Sequence, residues 1–188
     1  MAGVKAGVLA LQGDFREHAR MLAACGATPV LVRHPEELDD VQALCVPGGE
    51  STSIAKLAVA HGLVEPIRAR ARAGMPVFGT CAGMILLANR LDEGAPLLSL
   101  IDIEVRRNAY GRQVDSFEAE VQVTDIGPVR ASFIRAPVVT AVGADVDVLA
   151  EHEGVPVLVR QRNVLAASFH PELAGDPRLH ELALSLGD

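Results

Sequence analysis

The sequence predicts an α/β fold: a single-domain, open, mostly parallel sheet flanked by helices, with antiparallel strands added in the C-terminal half. Three observations carry this expectation. Short continuous apolar runs alternate with helix-like stretches through the first half, the pattern of parallel strands buried on both faces. From Ile101 onward, strand-like runs follow one another with only turn residues between them until a last helical stretch. No Ser/Pro/Gly-rich linker, repeat or low-complexity tract interrupts the 188 residues, so 1–188 reads as one domain.

Residues 4–11 form the first apolar run, ended by Gln12-Gly13-Asp14. Asp14 is placed to cap a helix whose apolar face is Phe15, Ala19, Leu22 and Ala23, with Gly26 closing it. Strands follow at 29–32 and 43–46, the second running into Pro47-Gly48-Gly49. A helix from about Ser51 carries Ile54, Leu57 and Ala58 on one face, and a second helical stretch covers 63–73. A short strand at 76–78 leads into a strongly apolar helix over 82–91. Strands are then expected at 101–105, 117–123, 131–134, 138–142, 146–150, 155–159 and 164–169, with a closing helix at 176–186.

Composition narrows the function. Hydrophobic residues make up 49% and charged residues 22%, which supports a sizeable core, while aromatics are only 3% with no Trp. The net charge of −7, with no Lys/Arg block, leaves no electrostatic footprint for nucleic acid or an anionic membrane. The N-terminal apolar run is too short to span a bilayer. Three cysteines without a CxxC pair suggest neither a disulfide framework nor a zinc site, and point to a reducing cytoplasm.

Three segments carry chemistry. Gly79-Thr80-Cys81-Ala82-Gly83, between a strand and a helix, is the sulfur counterpart of a G-x-S-x-G nucleophile elbow. Its glycines are required because the turn leaves no room for side chains, and the helix N-terminus favours a thiolate. A small buried core cysteine is the competing reading, and it is the one given to Cys25 and Cys45. His170-Pro171-Glu172 ends an apolar strand; alternation puts the imidazole and carboxylate on one side of an extended segment stiffened by the proline. A carboxylate so placed fixes the tautomer whose other nitrogen faces a thiol. His18, His34, His61, His152 and His180 are read as ordinary surface histidines. Gly48-Gly49, at a third strand end, offers backbone N–H groups as an anion nest, hence an oxyanion hole; a phosphate loop or a plain turn capped by Ser51 are the alternatives. Gln12 falls at the same sheet edge, where ligands bind in parallel sheets.

Beyond these local signals, the chain resembles the class I glutamine amidotransferases, and among them the glutaminase subunits of the two-component pyridoxal phosphate synthase. The resemblance rests on A-L-Q-G-D at 10–14, P-G-G-E-S-T-S at 47–53, G-T-C-A-G-M at 79–84, R-N-A-Y-G-R-Q-V-D-S-F-E at 107–118, F-I-R-A-P at 133–137 and S-F-H-P-E-L at 168–173. Arg106 departs from it, standing where an acidic residue is expected.

The resemblance implies hydrolysis of L-glutamine to glutamate and ammonia through a Cys81–His170–Glu172 triad and a glutamyl thioester, with no cofactor or metal. It implies glutamine held by Gly49, Glu50, Ser51, Arg107, Ile134 and Arg135; the guanidinium groups suit an α-carboxylate. Gly49 and Ala82 amides are the oxyanion-hole candidates, and Gln12 is a candidate for gating by a partner. That partner is expected to be a (β/α)₈-barrel synthase subunit in a hetero-oligomeric complex that takes up the ammonia. A stand-alone cysteine hydrolase and a non-catalytic binding subunit are the rival readings. The first leaves the 107–118 segment unexplained, and the intact Cys81, His170 and Glu172 argue against the second.

Overall fold

The first strands are short aliphatic and β-branched runs, which suit a sheet covered on both faces, the usual setting of parallel strands. In the computed structural model, which describes residues 3–107 and 116–187, Lys5–Leu9 (β1), Thr28–Val32 (β2), Ala43–Val46 (β3), Val77–Thr80 (β4) and Val164–Ala167 (β12) lie parallel. Asp147–His152 (β10) and Val155–Gln161 (β11) extend this sheet antiparallel at one side, giving the order β10-β11-β12-β4-β3-β1-β2. Ile101–Arg106 (β6) joins Val138–Val142 (β9) in a smaller sheet, and Phe117–Val123 (β7) pairs with Gly127–Phe133 (β8) as a hairpin.

Alternation along each strand divides the core between the two faces of the large sheet. Leu44 and Val46 pack in the cluster with Ile54 of Ser51–Ala60 (α3), Ile67 of Val64–Arg72 (α4) and Met84 of Ala82–Leu87 (α5). Cys45 between them packs in the opposite cluster with Leu22 of Phe15–Ala24 (α1), Leu179 of Arg178–Ser185 (α6) and Phe133 of the hairpin. Because β1, β3, β4 and β12 run in one direction, the segments after Leu9, Val46, Thr80 and Ala167 emerge at one edge.

The helix expected over 82–91 stops at Leu87. Ala88–Leu91 (β5) instead pairs in parallel with β6. The Leu86 and Leu87 carbonyls, which a continued helix would need, accept from the Leu98 and Leu100 N–H groups at 2.9 and 2.8 Å. Asn89 and Arg90 turn their side chains onto Asp102. An apolar run this short fits helix and strand alike. Pro35–Asp39 (α2) is a short helix that the sequence pattern did not suggest. Most of the 107–118 segment lies outside the described residues.

Candidate active site

Cys81 occupies the single residue between β4 and α5, at φ 49° and ψ −106°. A non-glycine residue held there is strained, and such strain persists only where the surroundings impose it. Here they do: a Cβ on Gly83 would stand 2.0 Å from the Val46 carbonyl oxygen, and one on Gly79 would stand 2.8 Å from the Gly83 carbonyl carbon. The Cys81 N–H donates to the Ala167 carbonyl at 2.8 Å, and Sγ lies 3.7 Å from the Ile134 carbonyl oxygen. The elbow read from G-T-C-A-G is therefore present, with the thiol at the carboxyl edge of the sheet.

His170 is held through its N–H, which donates to Ser132 of β8 at 2.8 Å. The segment after it is not extended, as the sequence reading had it, but a 3₁₀ turn over Pro171–Leu173, closed by the Ala174 N–H on the Pro171 carbonyl. Proline's fixed φ suits the first position of such a turn. The expected pairing forms nonetheless: His170 Nδ1 lies 2.7 Å from Glu172 Oε1. Asp14 Oδ2 also stands 3.3 Å from Nδ1, a neighbour that its reading as a plain helix cap missed; Asp14 sits at the cap position but makes no side-chain cap bond. Burial opposes charging the His170 ring, yet hydrogen bonds to Cys81 and Glu172, and their negative charges, outweigh it and raise its pKa to about 10. Burial pushes Glu172 above the usual carboxylate range, with His170 pulling the other way.

The glycine loop after β3 lies directly on this ring. A Cβ on Gly48 would come within 2.3 Å of His170 Cε1, and Gly49 takes φ +146°. Gln12 Oε1 accepts from the Glu50 N–H at 2.8 Å, tying the loop after β1 to the loop after β3. The cap of α3 is Glu50 rather than Ser51: its carboxylate accepts from the Thr52 and Ser53 N–H groups and the Ser53 hydroxyl. Those bonds, that of the Ser53 hydroxyl first, hold Glu50 down to about 2.

Gly49, Glu50, Ser51, Cys81, Ala82, Arg107, Ile134, Arg135 and His170 line one cleft of about 540 Å³, together with Gln12, Asp14, Ile85 and Leu173, a size suited to a small molecule. Arg107 reaches across to Thr52 Oγ1 at 3.1 Å, and Arg135 takes φ 44°. Arg106 points outward at the end of β6. Glu172 is buried behind His170, out of the cleft.

The profile of the SNO glutamine amidotransferase family matches residues 8–185. The chain belongs to that family. Among its relatives, the "Pyridoxal 5'-phosphate synthase subunit PdxT" of Desulforudis audaxviator is 56% identical over 188 residues, covering 98% of this chain and 100% of that protein. The protein of the same name from Streptomyces coelicolor is 58% identical over 181 residues, covering 94% and 90%. A crystal structure described as a glutamine amidotransferase superposes with a TM-score of 0.93 at 50% identity, covering 97% and 98% of the two chains. The structure of PurLQS from Thermotoga maritima, at TM-score 0.72 and 18% identity, shares the fold.

Behind the cleft, this amidotransferase carries a buried polar cluster that the sequence reading assigned to solvent. His18 and His180 are fully buried, not surface residues. His18 Nδ1 lies 2.9 Å from His180 Nε2, and His18 Nε2 lies 2.9 Å from Thr80 Oγ1 and 3.5 Å from Glu172 Oε2. The signal for His18 was available: Phe15, His18, Ala19 and Leu22 follow the i, i+3, i+4, i+7 spacing of a core-facing stripe. Cys25 and Cys45 are buried as expected, and burial raises both thiols, Cys25 to about 11. Cys45 joins His18 and His180 in one group of ligand-type atoms, and Asp14, His170 and Glu172 form another, each within 4.8 Å. In both, hydrogen bonds already engage imidazole nitrogens.

Proposed function

We propose that this chain, as one catalytic domain over 1–188, hydrolyses L-glutamine to L-glutamate and ammonia and delivers the ammonia to the synthase subunit of a pyridoxal 5'-phosphate synthase. The observation that carries the reading is the strained Cys81 in a cleft with His170, whose far nitrogen is bonded to Glu172 at 2.7 Å. Membership of the amidotransferase family and relatives named as subunits of that synthase supply the substrate and the partner.

With its proton held by His170, Cys81 attacks the carboxamide carbon. The tetrahedral oxyanion is received by the amides of Gly49 and Ala82. His170 then returns the proton to the leaving nitrogen, ammonia departs, and a glutamyl thioester remains on Cys81. Water, activated by the same imidazole, attacks the thioester carbonyl and releases glutamate. Glu172 holds the ring in the required tautomer and stabilises its charged form. Gly49, Glu50, Ser51 and Ile134 line the substrate cleft, and Arg107 and Arg135 bind the α-carboxylate.

Ammonia released into water at neutral pH becomes ammonium and loses its nucleophilicity, so the reaction belongs in a complex with the (β/α)₈-barrel synthase subunit. Gln12, bonded to the Glu50 N–H beside Gly49, is placed to report docking to the oxyanion loop. Three unbridged thiols fit a cytoplasmic setting, and no helix among the described residues is long and apolar enough to cross a membrane. The decisive assay is glutamine-dependent ammonia release by the chain with and without the synthase subunit, alongside Cys81→Ala. Activity that survives Cys81→Ala would remove the reading; full activity without the partner would favour a stand-alone hydrolase.

A further inference from the structure

Glu172 presents two oxygens, and the triad uses one. Oε1 meets His170, while Oε2 is buried and, among the described residues, accepts no hydrogen bond. A carboxylate oxygen left bare in a low-dielectric interior is costly and leaves the group free to turn. The polar atom facing it is His18 Nε2, 3.5 Å away, on a ring fully buried and fixed at both nitrogens by Thr80 and His180.

The protons can be assigned by elimination. If His18 carried its proton on Nδ1, it would donate to His180 Nε2; His180 would then hold its own proton on Nδ1, which has no partner among the described residues. That arrangement buries an unpaired donor and turns the His18 Nε2 lone pair toward a carboxylate. With the protons reversed, His180 Nε2–H donates to His18 Nδ1, and His18 Nε2–H points to Thr80 Oγ1 and Glu172 Oε2. Only a bare nitrogen acceptor on His180 is then left over, and a donor faces the anion. Burial, reinforced by the neighbouring imidazoles His180 and His170, keeps His18 neutral; burial likewise lowers His180 to about 4. The cluster therefore supplies an N–H without placing a second positive charge near His170.

We propose that His18 is a positioning residue of the glutaminase reaction, its Nε2–H holding Glu172 Oε2 so that Oε1 stays aligned on His170 Nδ1, with His180 and Thr80 fixing the His18 tautomer and ring. The inference rests on the Cys81–His170–Glu172 triad proposed above. His18 is outside the substrate cleft, so its effect falls on turnover and not on glutamine binding.

The test measures ammonia release by the complex with the synthase subunit, comparing His18→Leu, His18→Gln and His18→Asn, alone and on a Glu172→Gln background, with thermal melts for each. His18→Leu should lower kcat about 10- to 100-fold, as loss of the N–H that faces a buried carboxylate oxygen does, with KM unchanged. His18→Gln should recover most of it, because its amide nitrogen replaces Nε2; His18→Asn, whose amide replaces the Nδ1 side, should not. On the Glu172→Gln background, His18→Leu should add less than about twofold. A kcat within threefold of wild type for His18→Leu, equal rescue by Asn and Gln, or a fully additive loss would each overturn the proposal. If His18→Leu does not fold, the Gln/Asn comparison decides alone. Cys81→Ala in the same assay separates the two levels: activity surviving there overturns the triad itself, whereas its loss beside an indifferent His18 overturns only the positioning role.

Discussion

Replacing Glu172 with Gln is the sharpest single perturbation of the site, because it keeps shape and removes only charge and one acceptor. In the wild type, Oε1 lies 2.7 Å from His170 Nδ1 and Oε2 lies 3.5 Å from His18 Nε2. A glutamine offers one carbonyl and one NH₂ to those two nitrogens. If the carbonyl faces His170, the charge that stabilised the imidazolium is gone; if the amide faces it, the ring is driven to the wrong tautomer. The first alone corresponds to a hydrogen bond to a charged group, about 1.5–3 kcal/mol or roughly 10- to 100-fold; the second approaches the ~10⁴-fold loss known for an amide in place of a triad carboxylate. We expect kcat to fall by about 10²–10⁴ with KM little changed, measured as ammonia release by the complex.

Stability carries the same signature. The folded pKa of His170, about 10, stands above the ordinary 6.5, so its pairing stabilises the fold fully below pH 6.5 and is lost as pH rises through 10. The upward shift of Glu172 has the same sign but an earlier window, its contribution falling as pH rises above the ordinary carboxylate value of 4.5. The melting-temperature advantage of wild type over Glu172→Gln should thus be widest below pH 4.5, shrink as pH rises and be smallest toward pH 10. A variant within threefold of wild-type turnover, or an advantage that grows with pH, would refute the argument.

Further outcomes follow from single contacts. Cys81→Ala should abolish ammonia release, and mass spectrometry after a glutamine-like chloroketone should find the adduct on Cys81, since Cys81 alone of the three lines the cleft and burial raises the Cys25 and Cys45 thiols. Gly48→Ala, whose Cβ would meet His170 Cε1 at 2.3 Å, should displace the ring and cost at least about 10² in kcat, the loss typical of a mispositioned general base. Arg107→Ala and Arg135→Ala should raise KM for glutamine about 10- to 100-fold with smaller effects on kcat, read from steady-state kinetics; unchanged KM in both would remove them from α-carboxylate recognition.

The fold was legible wherever pattern and environment agree. Ala43–Val46, four apolar residues buried on both faces, and Phe117–Val123, alternating on one, could be read directly. The helix over 82–91 failed because Met84 to Leu87 are apolar all round, and what stops the helix is remote: N–H groups of Leu98 and Leu100 claim its carbonyls. No window of local sequence contains that competition.

The site divides along the same line. Cys81 could be read because its elbow demands Gly79 and Gly83, a steric requirement written into adjacent residues. His170 and Glu172 could be read because one bond joins them two residues apart, even though the turn between them is 3₁₀ rather than extended. Glu50 was legible as a cleft residue but not as the cap of α3, because Ser51 beside it is an equally good cap by type. His18 and His180 are 162 residues apart, and nothing adjacent to either announces that α1 and α6 cross on the same sheet face. What distinguishes them from solvent-facing histidines is a polar residue inside an apolar stripe, and a stripe tolerates such a residue only if the fold brings it a partner. The partners are Thr80, one residue before the proposed nucleophile, and Glu172, the last member of the proposed triad. A polar residue breaking the core-facing side of a helix next to a catalytic strand end is thus the local trace of a support that only the tertiary structure completes.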